Sequence, residues 1–140
     1  AIEKRDREMT RPLLIALIVG CGGFVGSVSR YGLSVASQRL SAEWPLGTLA
    51  ANALGCLAIG IIAAVSADSE ILSPELRIAL ATGFCGGFTT MSSMIYETNE
   101  MLRTGEYLHA MAYAAGTVVL SMAAFAAGMI LVRVLFKMGG

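Results

Sequence analysis

Charge is what this sequence has least of: 14% of its 140 residues are Asp, Glu, Lys or Arg against 56% hydrophobic, and mean hydropathy is +0.70. That balance excludes an ordinary water-soluble domain. The three cysteines, Cys21, Cys56 and Cys85, lie in separate apolar stretches with no CxxC or Cys/His spacing, so neither a disulfide framework nor a zinc site is expected. They read as small packing residues. One histidine, His109, is too few to build a hydrolase triad and stands where a membrane interface is expected. Nucleotide loops, zinc motifs and basic nucleic-acid patches are missing as well, so the chain reads as no enzyme and as having no nucleic-acid partner.

What is there instead is four uncharged runs, 13–29, 46–67, 78–96 and 110–132. About 20 helical residues cross a hydrocarbon core of roughly 30 Å, so each run predicts one crossing, the first being marginal in length. The basic residues before the first run resemble the start of a signal peptide. The run nevertheless continues into Arg30-Tyr31-Gly32-Leu33 without an A-x-A-like cleavage site. Residues 1–9 form a charged N-terminal extension whose composition suits a disordered tail, with Met9 read as the natural start; residues 10–140 form the four-helix domain.

Four crossings put both termini on one side together with the loop between the second and third helices. From Met9 onward that side carries Arg11, Arg77, Arg133 and Lys137, and the other carries Arg30, Arg39 and Arg103. Four against three is almost no positive-inside bias, which favours insertion in both orientations and pairing of inverted copies. Counting Lys4, Arg5 and Arg7 makes it seven against three, a fixed orientation. Small residues in the first helix, and Gly47, Ala51, Gly55 and Ala58 in the second, permit close helix packing in lipid.

Chemistry concentrates in the third run, at Thr82-Gly83-Phe84-Cys85-Gly86-Gly87-Phe88-Thr89-Thr90-Met91-Ser92-Ser93-Met94. Two readings stand side by side. The glycine pair either breaks the helix and frees carbonyls for an ion, or lies in a continuous helix with its hydroxyls bonded back one turn. Asn52 is a donor to an anion or a bond between helices. Tyr113, Thr117 and Ser121 recur every fourth residue, a line of neutral donors able to dehydrate an anion without trapping it. Arg30 and Glu97 stand at the ends of the uncharged runs, where snorkelling, a mutual ion pair or attraction of anions into a vestibule is expected. With no carboxylate inside a run, passive conduction fits better than proton-coupled transport.

Taken together, Gly22-Gly23-Phe24-Val25-Gly26, Arg30-Tyr31, Pro45-Leu46-Gly47-Thr48-Leu49 with Asn52, and Thr82 through Thr90 resemble the Fluc (CrcB) family of fluoride channels in order and spacing. The resemblance implies an all-α membrane protein: four transmembrane helices with a break in the third, forming an antiparallel dual-topology homodimer in the plasma (inner) membrane. It implies two fluoride pores and one central structural sodium ion held by the backbone carbonyls of Gly86 and Thr89. The pore path so implied comprises Thr48, Asn52, Met91, Ser92, Met94, Tyr113, Thr117 and Ser121, with Arg30 and Glu97 as vestibule or interface charges. Met91 and Met94 depart from the family, which carries phenylalanine at both places; a thioether lacks the positively polarized ring edge that could face fluoride.

The rival readings are a small multidrug-type transporter, which needs a carboxylate within the membrane, and a noncatalytic assembly subunit that only packs. Near-balanced charge gives a direct expectation: a reporter at the C-terminus is labelled from both faces of intact cells. Labelling from a single face excludes dual topology.

Overall fold

The computed structural model describes residues 2–39, 41, 44–68 and 71–138, with side chains described between Arg11 and Lys137; the side chains of Lys4, Arg5 and Arg7 lie outside the described residues. The chain is helical nearly throughout. α1 is Ile2–Ser37 and α2 is Leu46–Asp68. An interrupted third unit follows: α3 Pro74–Ile78, a π-helical stretch Ala79–Cys85, α4 Gly86–Phe88 and α5 Met91–Arg103. α6, Tyr107–Met138, completes the fold. The charged leading residues thus continue the first helix back to Ile2.

Local chemistry sets the ends. The Ser73 hydroxyl accepts from the Leu76 N–H at 3.2 Å, and Pro74 fills a first-turn position where its missing N–H costs nothing. After α5, Gly105 takes φ +83°, its N–H bonds Leu102 O at 3.1 Å, and the Glu106 N–H bonds Met101 O at 2.8 Å. This pair of bonds satisfies the last carbonyls of α5 and needs a residue free to adopt left-handed backbone. Trp44, before α2, packs edge-on against His109 of α6 with ring centroids 5.4 Å apart, beside the α5–α6 turn. Both amphipathic rings thus sit at the helix ends, where an interface would hold them.

Among the described residues four helices are long and apolar enough to span, Arg11–Ser37, Leu46–Ala67, Pro74–Arg103 and Tyr107–Lys137. The first and third extend beyond the uncharged runs that Arg30 and Glu97 close. Arg30 lies seven residues inside the first span and Glu97 six inside the third. A 27-residue helix is about 40 Å long at 1.5 Å per residue, more than the hydrocarbon core. Either charge can lie within it provided that neighbours supply partners.

Packing divides into two pairs, α2 against α6, and α1 against the π-helical stretch and α4. Glycine makes both possible. A Cβ at Gly60 would strike the Phe125 carbonyl, and one at Gly128 would strike that of Leu57. On the other seam a Cβ at Gly26 would strike the Phe84 carbonyl and one at Gly87 that of Gly23, while one at Gly22 would lie 2.6 Å from Ala79 O. Backbones that close gain dispersion contacts which lipid cannot supply. The second-helix row also packs: Ala51 is fully buried, Gly47 abuts Ser34 and Gly55 abuts Thr89.

Gly116 faces open space. Gly128→Ala and Gly60→Ala should each cost about 1–3 kcal/mol through overpacking. Gly116→Ala should be neutral or slightly stabilising in the same helix. Thermal unfolding in detergent measures the contrast, and equal losses at all three positions would refute close backbone packing as the stabilising contact.

Candidate functional site

The third unit stops being helical at Thr89 (φ −81°, ψ 158°) and Thr90 (φ −154°, ψ 117°). A continuous helix is thereby excluded. The glycine pair is not where the chain opens: Gly86 keeps helical angles, φ −62° and ψ −36°, and Gly87 serves the contact with Gly23. Two β-branched residues span the gap with extended backbone, a conformation their side chains tolerate well. Each threonine also completes a helix end with its hydroxyl. Thr89 Oγ1 donates to Cys85 O at 2.9 Å, and Thr90 Oγ1 accepts from the Ser93 N–H at 3.1 Å as the N-cap of α5.

Four consecutive helical bonds are lost across the gap, those that residues 90 to 93 would donate to carbonyls 86 to 89. Their replacements come largely from other helices. The Thr90 N–H donates to Asn52 Oδ1 at 2.7 Å, and Asn52 Nδ2 donates to Thr90 O at 3.0 Å. Gly87 O accepts from Arg30 Nε at 3.2 Å and from Ser27 Oγ at 3.4 Å. Among the described residues nothing donates to the carbonyls of Gly86, Phe88 or Thr89. The α4 end thus offers bare neutral oxygens while the α5 end offers N–H groups, so charges of opposite sign are favoured on the two sides of one gap.

Beyond the gap lies a buried polar seam between α2, α5 and α6. Asn52 is 8% exposed, Thr48 5%, Thr117 2% and Tyr113 1%. The Glu97 carboxylate accepts from Thr48 Oγ1 at 2.7 Å and from the Tyr113 hydroxyl at 2.5 Å, lengths typical of charge-assisted bonds. Thr117 Oγ1 donates back to Tyr113 O at 2.8 Å, and Ser121 continues the line in a half-buried position. At its outer end the seam meets a cavity of about 560 Å³, lined in part by Ser34, Gln38, Trp44, Thr48 and Glu97.

The site residues named from the sequence therefore fall into two groups. Thr48, Asn52, Met94, Glu97, Tyr113 and Thr117 converge inside one chain, whereas Met91 and Ser92 lie exposed on α5 and Gly86 on α4. Met91 and Met94 differ in burial, at 70% and 6% exposure, so within one chain only Met94 is covered. Arg30 and Glu97 do not pair; each has other partners. Ser27, Thr90 and Gly55 were missed as site residues. Thr90 was detectable as a helix-capping residue, and Ser27 only as one more small residue of α1.

A family model described as CrcB-like protein, Camphor Resistance (CrcB), matches residues 17–129. A protein named fluoride-specific ion channel FluC from Chlorobium phaeobacteroides (strain BS1) is 48% identical over 103 residues, 74% of this chain and 80% of that one. Proteins of the same name from Prosthecochloris aestuarii and Chlorobaculum tepidum are 45% and 44% identical, each over 84% of this chain and over 92% and 93% of their own lengths. The broken third helix, the polar seam and these matches across most of the sequence agree, and the chain belongs to the CrcB-like protein family.

Proposed function

We propose that this protein is a fluoride-specific ion channel of the inner (plasma) membrane, passively releasing cytoplasmic fluoride. The observation that carries this reading is the identity of 44–48% to relatives bearing that name. A membrane potential negative inside drives an anion outward by about 2.3 kcal/mol per 100 mV, so no coupled energy source is required.

The geometry supports a path along the seam. Fluoride holds its water strongly and loses it only to several donors in succession, none strong enough to trap it. The Thr48 and Tyr113 hydroxyls supply two donors, both engaged by the Glu97 carboxylate. An anion moving along the seam competes with that carboxylate for the same hydrogens. Asn52 retains one N–H without a partner among the described residues, Thr117 and Ser121 extend the row, and Ser92 adds an exposed hydroxyl at the start of α5. Arg30, inside the apolar span, favours anions near the gap.

The exposed face points to a second copy. Phe24 and Tyr31 on α1 and Met91 on α5 are each 70–71% exposed. An inverted partner would bring two sets of Gly86 and Thr89 carbonyls together. These neutral hard oxygens at a helix C-terminal end fit sodium, and would hold it in an antiparallel dimer with two pores. Glu97 within the third span removes the sequence argument against a multidrug-type carrier, but two hydroxyls already hold its carboxylate, and the family match favours the channel.

Proteoliposomes with a potassium ionophore should release fluoride far faster than chloride; equal rates overturn the proposal. Met91→Phe, on the open face, should raise the fluoride-to-chloride ratio with little change in melting temperature. Met94→Phe, inside the seam, should lower stability by about 1–3 kcal/mol through overpacking. A melting temperature unchanged in both variants would contradict the burial assigned to Met94.

A further inference from the structure

The lost bonds are not lost at random. In a continuous helix the Thr90 N–H would donate to Gly86 O, four residues back. One bond earlier the ladder is intact, since the Thr89 N–H still reaches Cys85 O at 2.9 Å. The first missing bond is therefore the one whose donor Asn52 has taken, with Oδ1 2.7 Å from the Thr90 nitrogen. The same side chain returns a donor to Thr90 O at 3.0 Å. Its carboxamide thus occupies the place of a peptide group on a neighbouring strand, satisfying both polar atoms of one residue.

We infer that Asn52 is the residue that opens the third helix, and that by holding both the N–H and the C=O of Thr90 it releases the Gly86 carbonyl from its own helix. Three features of this chain support the assignment. Asn52 is buried on α2, which is continuous from Leu46 to Asp68, so the carboxamide is presented from a rigid support. Gly55, less than one helical turn further along α2, lets Thr89 approach so closely that a Cβ there would collide with the Thr89 methyl. The neighbouring carbonyl, Gly87 O, is occupied by Arg30 and Ser27, whereas Gly86 O receives no donor among the described residues. The outcome is selective: one oxygen is neutralised by a cationic side chain and its neighbour stays bare.

Asn52 is thus a positioning residue, acting through the backbone of Thr90, in addition to any donation its second N–H makes to an anion. The consequence for a cation rests on the function proposed above. The release of the carbonyl does not.

Carbonyl and amide resonances separate the two. With glycine labelled at both its carbonyl carbon and its nitrogen, directly bonded labelled pairs occur only at Gly22-Gly23, Gly86-Gly87 and Gly139-Gly140. Gly86→Ala, at a site with open space around it, assigns the Gly86 signal by removing it. In membranes, Asn52→Leu should shift the Gly86 carbonyl carbon downfield, to the position of hydrogen-bonded helical carbonyls. It should also abolish the response of that signal to replacing sodium by N-methylglucamine, and lower fluoride flux about tenfold or more. Asn52→Asp keeps an acceptor for the Thr90 N–H and should leave the Gly86 signal at the parent position.

A Gly86 signal unmoved in Asn52→Leu overturns the inference. If that variant does not fold, a downfield shift in Asn52→Asp overturns it equally, and an unshifted signal there supports it. A parent protein that passes no fluoride, with the expected carbonyl shift in Asn52→Leu, refutes the channel and leaves the role of Asn52 standing.

Discussion

A peptide group without a partner in hydrocarbon costs several kcal/mol, and every part of this structure near the bilayer centre answers to that cost. Three of the four long helices meet it internally. The third does not, because Thr89 and Thr90 leave the helical region and four ladder bonds disappear. A gap of this kind persists only when groups from neighbouring helices fill it. Asn52 from α2, Arg30 and Ser27 from α1 and the Thr90 hydroxyl do so, and the carbonyls they leave bare are what distinguish the gap from a mere packing defect.

Those partners reach the gap because backbones approach one another unusually closely. Arg30 Nε can bond Gly87 O only if α1 lies against α4, and the contacts of Gly22, Gly26 and Gly87 permit that approach. Gly55 does the same on the α2 side, setting Thr89 against the helix that carries Asn52. The glycines therefore act on function at one remove. They determine distances, and the polar side chains act across them.

The two charges within the spans are handled differently. Arg30 spends one donor on a carbonyl at the negative end of a half-helix, a favourable place for a cation. Glu97 is held by two neutral hydroxyls, so the donors best placed to replace water around an anion are already engaged by a carboxylate of the same chain. On the proposed path, conduction is an exchange of acceptors. The donors remain satisfied throughout, which avoids the desolvation cost of leaving them bare.

Four uncharged runs were enough to establish four crossings, because in a bilayer length and apolarity alone decide whether a helix spans. The sequence also singled out Thr82 to Met94 as the chemically active segment, and named Thr48, Asn52, Tyr113 and Thr117, which the fold brings to one seam. It left open what depends on partners. Arg30 and Glu97 close their uncharged runs, because a run is judged by where charge begins, whereas each helix continues past its charge. One of the two local readings puts a break at Gly86 and Gly87, whose low helix propensity is a local property. It falls instead at Thr89–Thr90, because a carboxamide 38 residues away captures the Thr90 N–H. Only the packing of α2 beside the third helix creates that bond, so no local reading of the chain could contain it.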